Sequence, residues 1–198
     1  MEFIFFTLMG FCLGSTLFAY WIPKLLKGID IRELPEDHNP GVANAYLYGN
    51  FWLGTLALLC ELGKGFFPVF LSQRFVTVPS LLFVPVMAAP VFGHACPFFH
   101  REKGGKAIAV SFGVMLGLYP VVQPLFYLVL FYLLFSLVLI IRPHSRRTIV
   151  TFILFSCAVF LRVPFPSIKL GCFIISAIVV SKHVASRSTS KAPHVRPL

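Results

Sequence analysis

Long apolar runs separated by short polar breaks dominate the chain. Seven such runs can be read, at approximately 2–25, 46–71, 75–98, 107–122, 124–141, 148–163 and 167–182, each flanked by charges, Pro or Gly. A run of about 20 apolar residues crosses the hydrocarbon of a bilayer as a helix, the conformation that satisfies every backbone polar group within the segment. The pattern therefore predicts an all-α integral membrane protein of about seven transmembrane helices. The fourth, sixth and seventh runs are short for a full crossing, and the fourth and fifth are divided only by Tyr119-Pro120-Val121-Val122-Gln123-Pro124, so six is the alternative count. The first run is expected to stay as a helix. Glu2 stands where a cleaved signal has basic residues, and Lys24 and Lys27 come after the apolar stretch.

Composition agrees with a chain whose solvent is lipid: 58% of residues are hydrophobic and 12% charged, with a mean hydropathy of +0.86. In 198 residues the spans leave no room for a separate soluble domain, so a single membrane domain over 1–198 is expected, with polar loops near 26–45, 99–106 and 142–147. The five cysteines are scattered through apolar runs without metal-ligand spacing. They read as small packing residues, and neither metal nor cofactor is expected.

The 17 Lys and Arg residues orient the spans. With seven alternating segments, thirteen of them fall on the side that holds the 26–45 and 99–106 loops, and only Arg74, Arg162 and Lys169 on the other, with Lys64 inside a span. The positive-inside rule makes the thirteen-residue side cytoplasmic, placing the N-terminus outside and the C-terminus inside. The net charge of +10 is thus accounted for by topology, and no nucleic-acid partner is inferred.

Two loops on that face carry candidate chemistry. In Gly93-His94-Ala95-Cys96-Pro97-Phe98-Phe99-His100-Arg101-Glu102-Lys103-Gly104-Gly105-Lys106-Ala107, adjacent glycines allow backbone N–H groups to turn toward a ligand, Lys106 adds a charge, and a helix starting at Ala107 directs its positive end there. The segment reads as an anion-binding loop suited to phosphate, although its spacing is not that of a nucleotide P-loop. An ordinary basic membrane-flanking loop has the same composition. The second loop holds Asn39-Pro40-Gly41 and Asn44, a turn bracketed by two amides. It suits a polar ligand or a capped connector in which Asn44 starts the second helix. Within that helix Glu61 and Lys64 share one face and are expected to pair, with a structural role, away from the cytoplasmic loops. Gly10 and Gly14, like Gly113 and Gly117, have the spacing of close helix packing.

Taken in order, Gly14-Ser15, Lys27-Gly28-Ile29-Asp30-Ile31-Arg32, Asn39-Pro40-Gly41-Val42-Ala43-Asn44, Lys64-Gly65-Phe66-Phe67-Pro68, Gly93-His94 and Lys103-Gly104-Gly105-Lys106 resemble the bacterial acyl-phosphate:glycerol-3-phosphate acyltransferases of the PlsY type. The resemblance covers roughly residues 10–115. It implies transfer of a fatty acyl group from acyl phosphate to the 1-hydroxyl of glycerol 3-phosphate, giving lysophosphatidate for phospholipid synthesis at the bacterial cytoplasmic membrane. The implied partners are these two substrates and membrane lipid. Lys106 with the Gly104 and Gly105 amides would hold phosphate oxygens, and Asn39, Gly41 and Asn44 would shape the facing wall. Ser145 and His183 are further phosphate ligands by the same carry-over, and His94 orients the loop. An acyl phosphate has a good leaving group, so positioning and charge stabilisation suffice without a covalent nucleophile.

The chain also departs from the family. Glu36-Asp37-His38-Asn39 and Gly41-Val42-Ala43-Asn44 lack two hydroxyls found there, Leu47 replaces an Arg, and Ser186 replaces an Asn. Asp37 with His38 would act as a base toward the acceptor hydroxyl, or else the acceptor or donor has changed. The alternatives are a small transporter of an anionic solute, for which broken Pro-rich helices are suited, and a catalytically inactive relative.

Overall fold

The computed structural model describes residues 1–34, 38–98 and 104–189, with side chains as far as Ser186. Among these residues all regular structure is helical. In chain order the elements are α1 (Glu2–Ser15), α2 (Phe18–Lys27), a single turn α3 (Val42–Asn44) running into a π-helical turn (Ala45–Gly49), and α4 (Phe51–Ser72). They are followed by α5 (Phe83–Ala95), α6 (Ile108–Gly117), α7 (Gln123–Leu133) with a π-helical extension (Leu134–Val138), α8 (His144–Arg162) and α9 (Pro166–Thr189).

Every apolar run of the sequence carries helix, but the boundaries differ. The first run is broken: α1 and α2 meet at 45° across Thr16 and Leu17. The second helix starts at Phe51, later than the apolar run, and its cap is Asn50, whose side chain accepts from Leu53 N at 2.8 Å. Asn44, the expected cap, is used elsewhere. The third run is helical only from Phe83, because Thr77-Val78-Pro79-Ser80 breaks it and the Ser80 hydroxyl accepts from Leu82 N in a local turn. By length and hydropathy α4, α8 and α9 are able to cross a bilayer, and a fourth crossing is made if the bent α1–α2 pair is one span. The helices α5, α6 and α7 with its extension are shorter.

Two helix pairs are pressed together at glycines. A Cβ on Gly14 would lie 2.3 Å from the Pro90 carbonyl oxygen of α5, and one on Gly113 would lie 2.1 Å from the Leu62 carbonyl oxygen of α4. Backbone-to-backbone approach of this kind is how helices gain dispersion energy where lipid removes the hydrophobic incentive. Between these pairs and the α8–α9 hairpin lies the core, with Phe83, Met87, Met115, Phe152, Phe155, Ile168 and Ile175 all buried.

The break between α1 and α2 is filled by α4. Lys64 Nζ donates to the carbonyls of Gly14 at 3.0 Å and Thr16 at 2.7 Å, while Glu61 Oε1 accepts from Ala19 N at 3.2 Å. A cation thus meets the negative end of α1 and an anion the positive end of α2. The two side chains also pair at 2.7 Å, both almost fully buried. Irregular backbone inside a membrane bundle requires such partners, and here an ion pair three residues apart supplies both.

Candidate functional site

A cavity of about 460 Å³ lies at the end of α5 and the start of α6, beside the middle of α4, and is lined in part by residues of the two sequence-predicted loops. Its lining includes Asn39, Gly41 and Asn44 from one loop, Lys106 and the first residues of α6, and His94 and Glu61. Tyr132 of α7 and His144 of α8 complete the polar part, while Leu58, Leu62, Ile108 and Phe112 make an apolar wall. Glu61 therefore lines the same cavity as the loops and is not remote from them as its position along the helix implies.

The Asn39–Asn44 turn is tied internally. Asn44 Nδ2 donates to the Asn39 carbonyl at 2.8 Å, and Gly41 N donates to the same oxygen at 2.8 Å. Gly41 lies against the Asn39 side chain, where a Cβ would come within 2.5 Å of Nδ2. Upstream, Asp30 anchors the chain after α2: Arg32 donates to it from Nε at 3.0 Å and Nη2 at 2.8 Å, Lys24 pairs with it at 3.3 Å, and the guanidinium covers the Tyr20 ring at 3.8 Å. These hydrogen bonds from Arg32 hold the Asp30 carboxyl well below the usual carboxylate range.

The glycine loop is built against the end of α5. Gly105 N donates to the His94 carbonyl at 3.0 Å, and a Cβ on Gly105 would lie 2.1 Å from His94 Nε2. On Gly104 it would lie 2.0 Å from the Ala95 carbonyl oxygen. Both glycines are thus required for close approach, and Lys106 follows directly from that seat. Ala107, which caps α6, has a φ of 60°. The left-handed region costs a non-glycine residue about 1 kcal/mol, here held by burial of the side chain. On its other edge, His94 Nδ1 lies 3.0 Å from Glu61 Oε2 and 2.9 Å from Lys64 Nζ. One imidazole thus links the ion pair to the glycine loop.

The sequence-predicted residues divide as follows. Asn39, Gly41, Asn44, His94 and Lys106 line the cavity, with Gly104 and Gly105 immediately behind Lys106. His38 is exposed, has a φ of 47° and faces the Arg32 carbonyl through Nδ1 at 2.7 Å, outside the cavity lining. His183 is fully buried, its ring 5.7 Å from that of His144, so His144 is the member of this pair that reaches the cavity. Ser145 is half-buried beside it. Asp37 lies outside the described residues. Leu47, at the position where the resembling family carries Arg, is 72% exposed and away from the cavity.

Sequence reasoning missed Glu61 as a lining residue, and also His144 and Tyr132. The intramembrane charge pair was the available signal for Glu61. His144 stood one residue from Ser145 in the right loop, where Arg147 Nη2 now donates to its Nδ1 at 2.7 Å, and nothing in the sequence marks Tyr132. No group of three His, Cys, Asp or Glu side chains among the described residues is arranged to hold a metal ion. A cation beside a helix N-terminus and two amides, set against an apolar wall, suits an amphiphile with an anionic head.

Comparison with known proteins agrees with this chemistry. A family model described as glycerol-3-phosphate acyltransferase matches residues 4–189. A protein of that name from a Hydrogenobaculum species is 32% identical over 178 residues, covering 89% of this chain and 87% of its own. One from Thermotoga petrophila is 40% identical over 110 residues, covering 56% of this chain, which thus spans 55% of that relative's length. The crystal structure of PlsY, an integral membrane glycerol 3-phosphate acyltransferase in its glycerol 3-phosphate form, superposes with a TM-score of 0.83 at 25% identity, covering 96% of this chain and 92% of that one.

Proposed function

The chain belongs to the glycerol-3-phosphate acyltransferase family, and from that premise we propose that its cavity transfers a fatty acyl group from acyl phosphate to the 1-hydroxyl of glycerol 3-phosphate, releasing phosphate and lysophosphatidate. The acceptor oxygen attacks the acyl carbonyl carbon, the bond from that carbon to the phosphate oxygen breaks, and the hydroxyl proton passes to a base. Asp37 is the base in this reading; His38, expected to share that role, faces the Arg32 carbonyl outside the cavity lining.

Lys106 carries the proposal. It follows two glycines seated on α5, precedes the first turn of α6 and lines the same cavity as Asn39 and Asn44. A charge held there stabilises the phosphate as it leaves, in a site where little water screens it. The Gly104 amide supports the same anion, whereas the Gly105 amide, expected to share in this, is committed to the His94 carbonyl and fixes the loop instead; Asn39, Gly41 and Asn44 bound the acceptor, and His94 orients the glycine loop. His183 acts through His144, with Ser145 at the edge. The apolar wall of Leu58, Leu62, Ile108 and Phe112 receives the first carbons of the acyl chain.

The protein is read as one domain of seven spans in the bacterial cytoplasmic membrane. In support, the cavity is bounded by the end of α5 and the starts of α6 and α8, as alternate crossings require.

The decisive experiment follows phosphate release and lysophosphatidate formation together, with purified protein in lipid given acyl phosphate and glycerol 3-phosphate. Lys106→Ala is expected to lower turnover by about two orders of magnitude with the fold intact. Near-normal turnover in that variant would refute the anion-site assignment. A wild-type protein that neither forms lysophosphatidate nor binds glycerol 3-phosphate would refute the substrate.

A further inference from the structure

A second concavity lies far from the candidate site, between the antiparallel helices α8 and α9. It measures about 860 Å³, and its walls are almost wholly apolar, with Ile153, Phe160, Leu161, Leu170, Phe173 and Val180 among them. From Lys169 to Val180 it runs along α9 for about 16 Å at 1.5 Å per residue, close to the roughly 15 Å depth of one hydrocarbon leaflet. At one end it reaches Leu161 and Pro166, beside the α8–α9 turn. Arg162, the last residue of α8, is some 27 Å along that helix from His144 of the cavity.

Two features set this groove apart from an ordinary lipid-facing hollow. The first is charge. Of the three cations that the sequence assigns to this side of the bundle, Lys169 lines the groove and Arg162, exposed, directly follows the lining residue Leu161. Lys169 lies over the Phe160 ring at 5.1 Å, and neither cation is in an ion pair among the described residues. The one carboxylate assigned to this side, Glu2, is taken by the chain's own amino group. The second is a polar atom in the floor. The Ser176 side chain is 95% buried, lines the groove, and its Oγ has no hydrogen-bond partner among the described residues.

We propose that this groove is a binding site for one anionic phospholipid of the leaflet opposite the candidate site, with its phosphate between Arg162 and Lys169 and an acyl chain along the channel to Val180. Charge complementarity selects lipid over a second copy of this chain. A second copy offers at this level only Glu2, already paired, and an apolar helix face would bury two unmatched cations. A lipid phosphate satisfies both and remains at the interface, where lysine and arginine heads naturally reach. The site also has a route to the cavity. The helices that grip the lipid carry His144 and His183, whose rings pack together at the other end, so an occupied groove holds that pair at a defined spacing.

The test is native mass spectrometry of the intact protein, released from nanodiscs of phosphatidylcholine and phosphatidylglycerol with matched chains. Wild-type protein is expected to retain one phosphatidylglycerol at least tenfold over phosphatidylcholine. Arg162→Gln/Lys169→Gln should lose that preference while keeping its circular dichroism melting curve. Ala177→Phe, which fills the groove from an exposed position on its wall, should lose the retained lipid altogether. Equal retention of the two lipids by wild type would mean an adventitious lipid only and would overturn the proposal. Unchanged preference in the double variant would overturn it too, as would a wild-type dimer that Ala177→Phe converts to monomer.

Discussion

Glu61 and Lys64 illustrate how a buried pair holds more than itself. Lys64 satisfies two carbonyls at the end of α1, Glu61 satisfies an amide at the start of α2, and His94 joins both to the glycine loop. Lys64→Met leaves a buried carboxylate unmatched and should cost about 3–5 kcal/mol, whereas Glu61→Gln/Lys64→Met, which removes both charges, should cost less than the single change. Unfolding of the two variants in detergent decides between them, and equal losses would contradict a coupled pair. Asp30 makes the opposite case, a charge held at the surface. Its folded-state pKa is depressed by Arg32, so its contribution is fully present above the ordinary carboxylate value of about 4 and disappears only as pH falls through the depressed value. Hydrogen exchange of residues 28–34 should therefore stay slow down to about pH 4, while Asp30→Asn should accelerate it at neutral pH.

At the level of helices, glycine placement is the controlling variable. Gly113 faces a carbonyl of α4 at a distance no methyl group can share, whereas a Cβ on Gly63 meets only the tip of Phe67, at 3.4 Å. Gly113→Ala should therefore destabilise by about 1–3 kcal/mol through displacement of α6, and with it lower turnover, because Lys106 is seated at the start of that helix. Gly63→Ala should remain within about 1 kcal/mol of wild type. Thermal melting and the coupled phosphate assay read both. The sequence spacing of Gly113 and Gly117 announced a packing face. Which of the chain's glycines actually meet a neighbouring backbone became visible only with the helices assembled. The break of the first run was likewise not legible, because Thr16 and Leu17 are unremarkable residues and the cause lies on α4.

For the molecule as a whole, the expected arrangement puts both loops and the start of α8 on one membrane face. With native cysteines replaced, a single cysteine at Arg142 should react only from the cytoplasmic side and one at Arg74 only from the opposite side. Both positions are exposed, and reaction of both from one side would remove the seven-span count. The apolar helices and the two polar loops were readable directly, since hydropathy, Gly-Gly-Lys and Asn-Pro-Gly are local patterns whose meaning follows from backbone physics, while the family was read from the resemblance of the ordered motifs. Position along a helix also placed Glu61 and Lys64 on one face, and so predicted their pairing. It could not reveal that the first run is broken beside them, that Glu61 shares a cavity with residues of both loops, or that His144 rather than Ser145 or His183 reaches that cavity. Those outcomes depend on which elements pack together. A buried charge takes its role from the neighbours that satisfy it, and in this chain those neighbours lie 30 to 50 residues away.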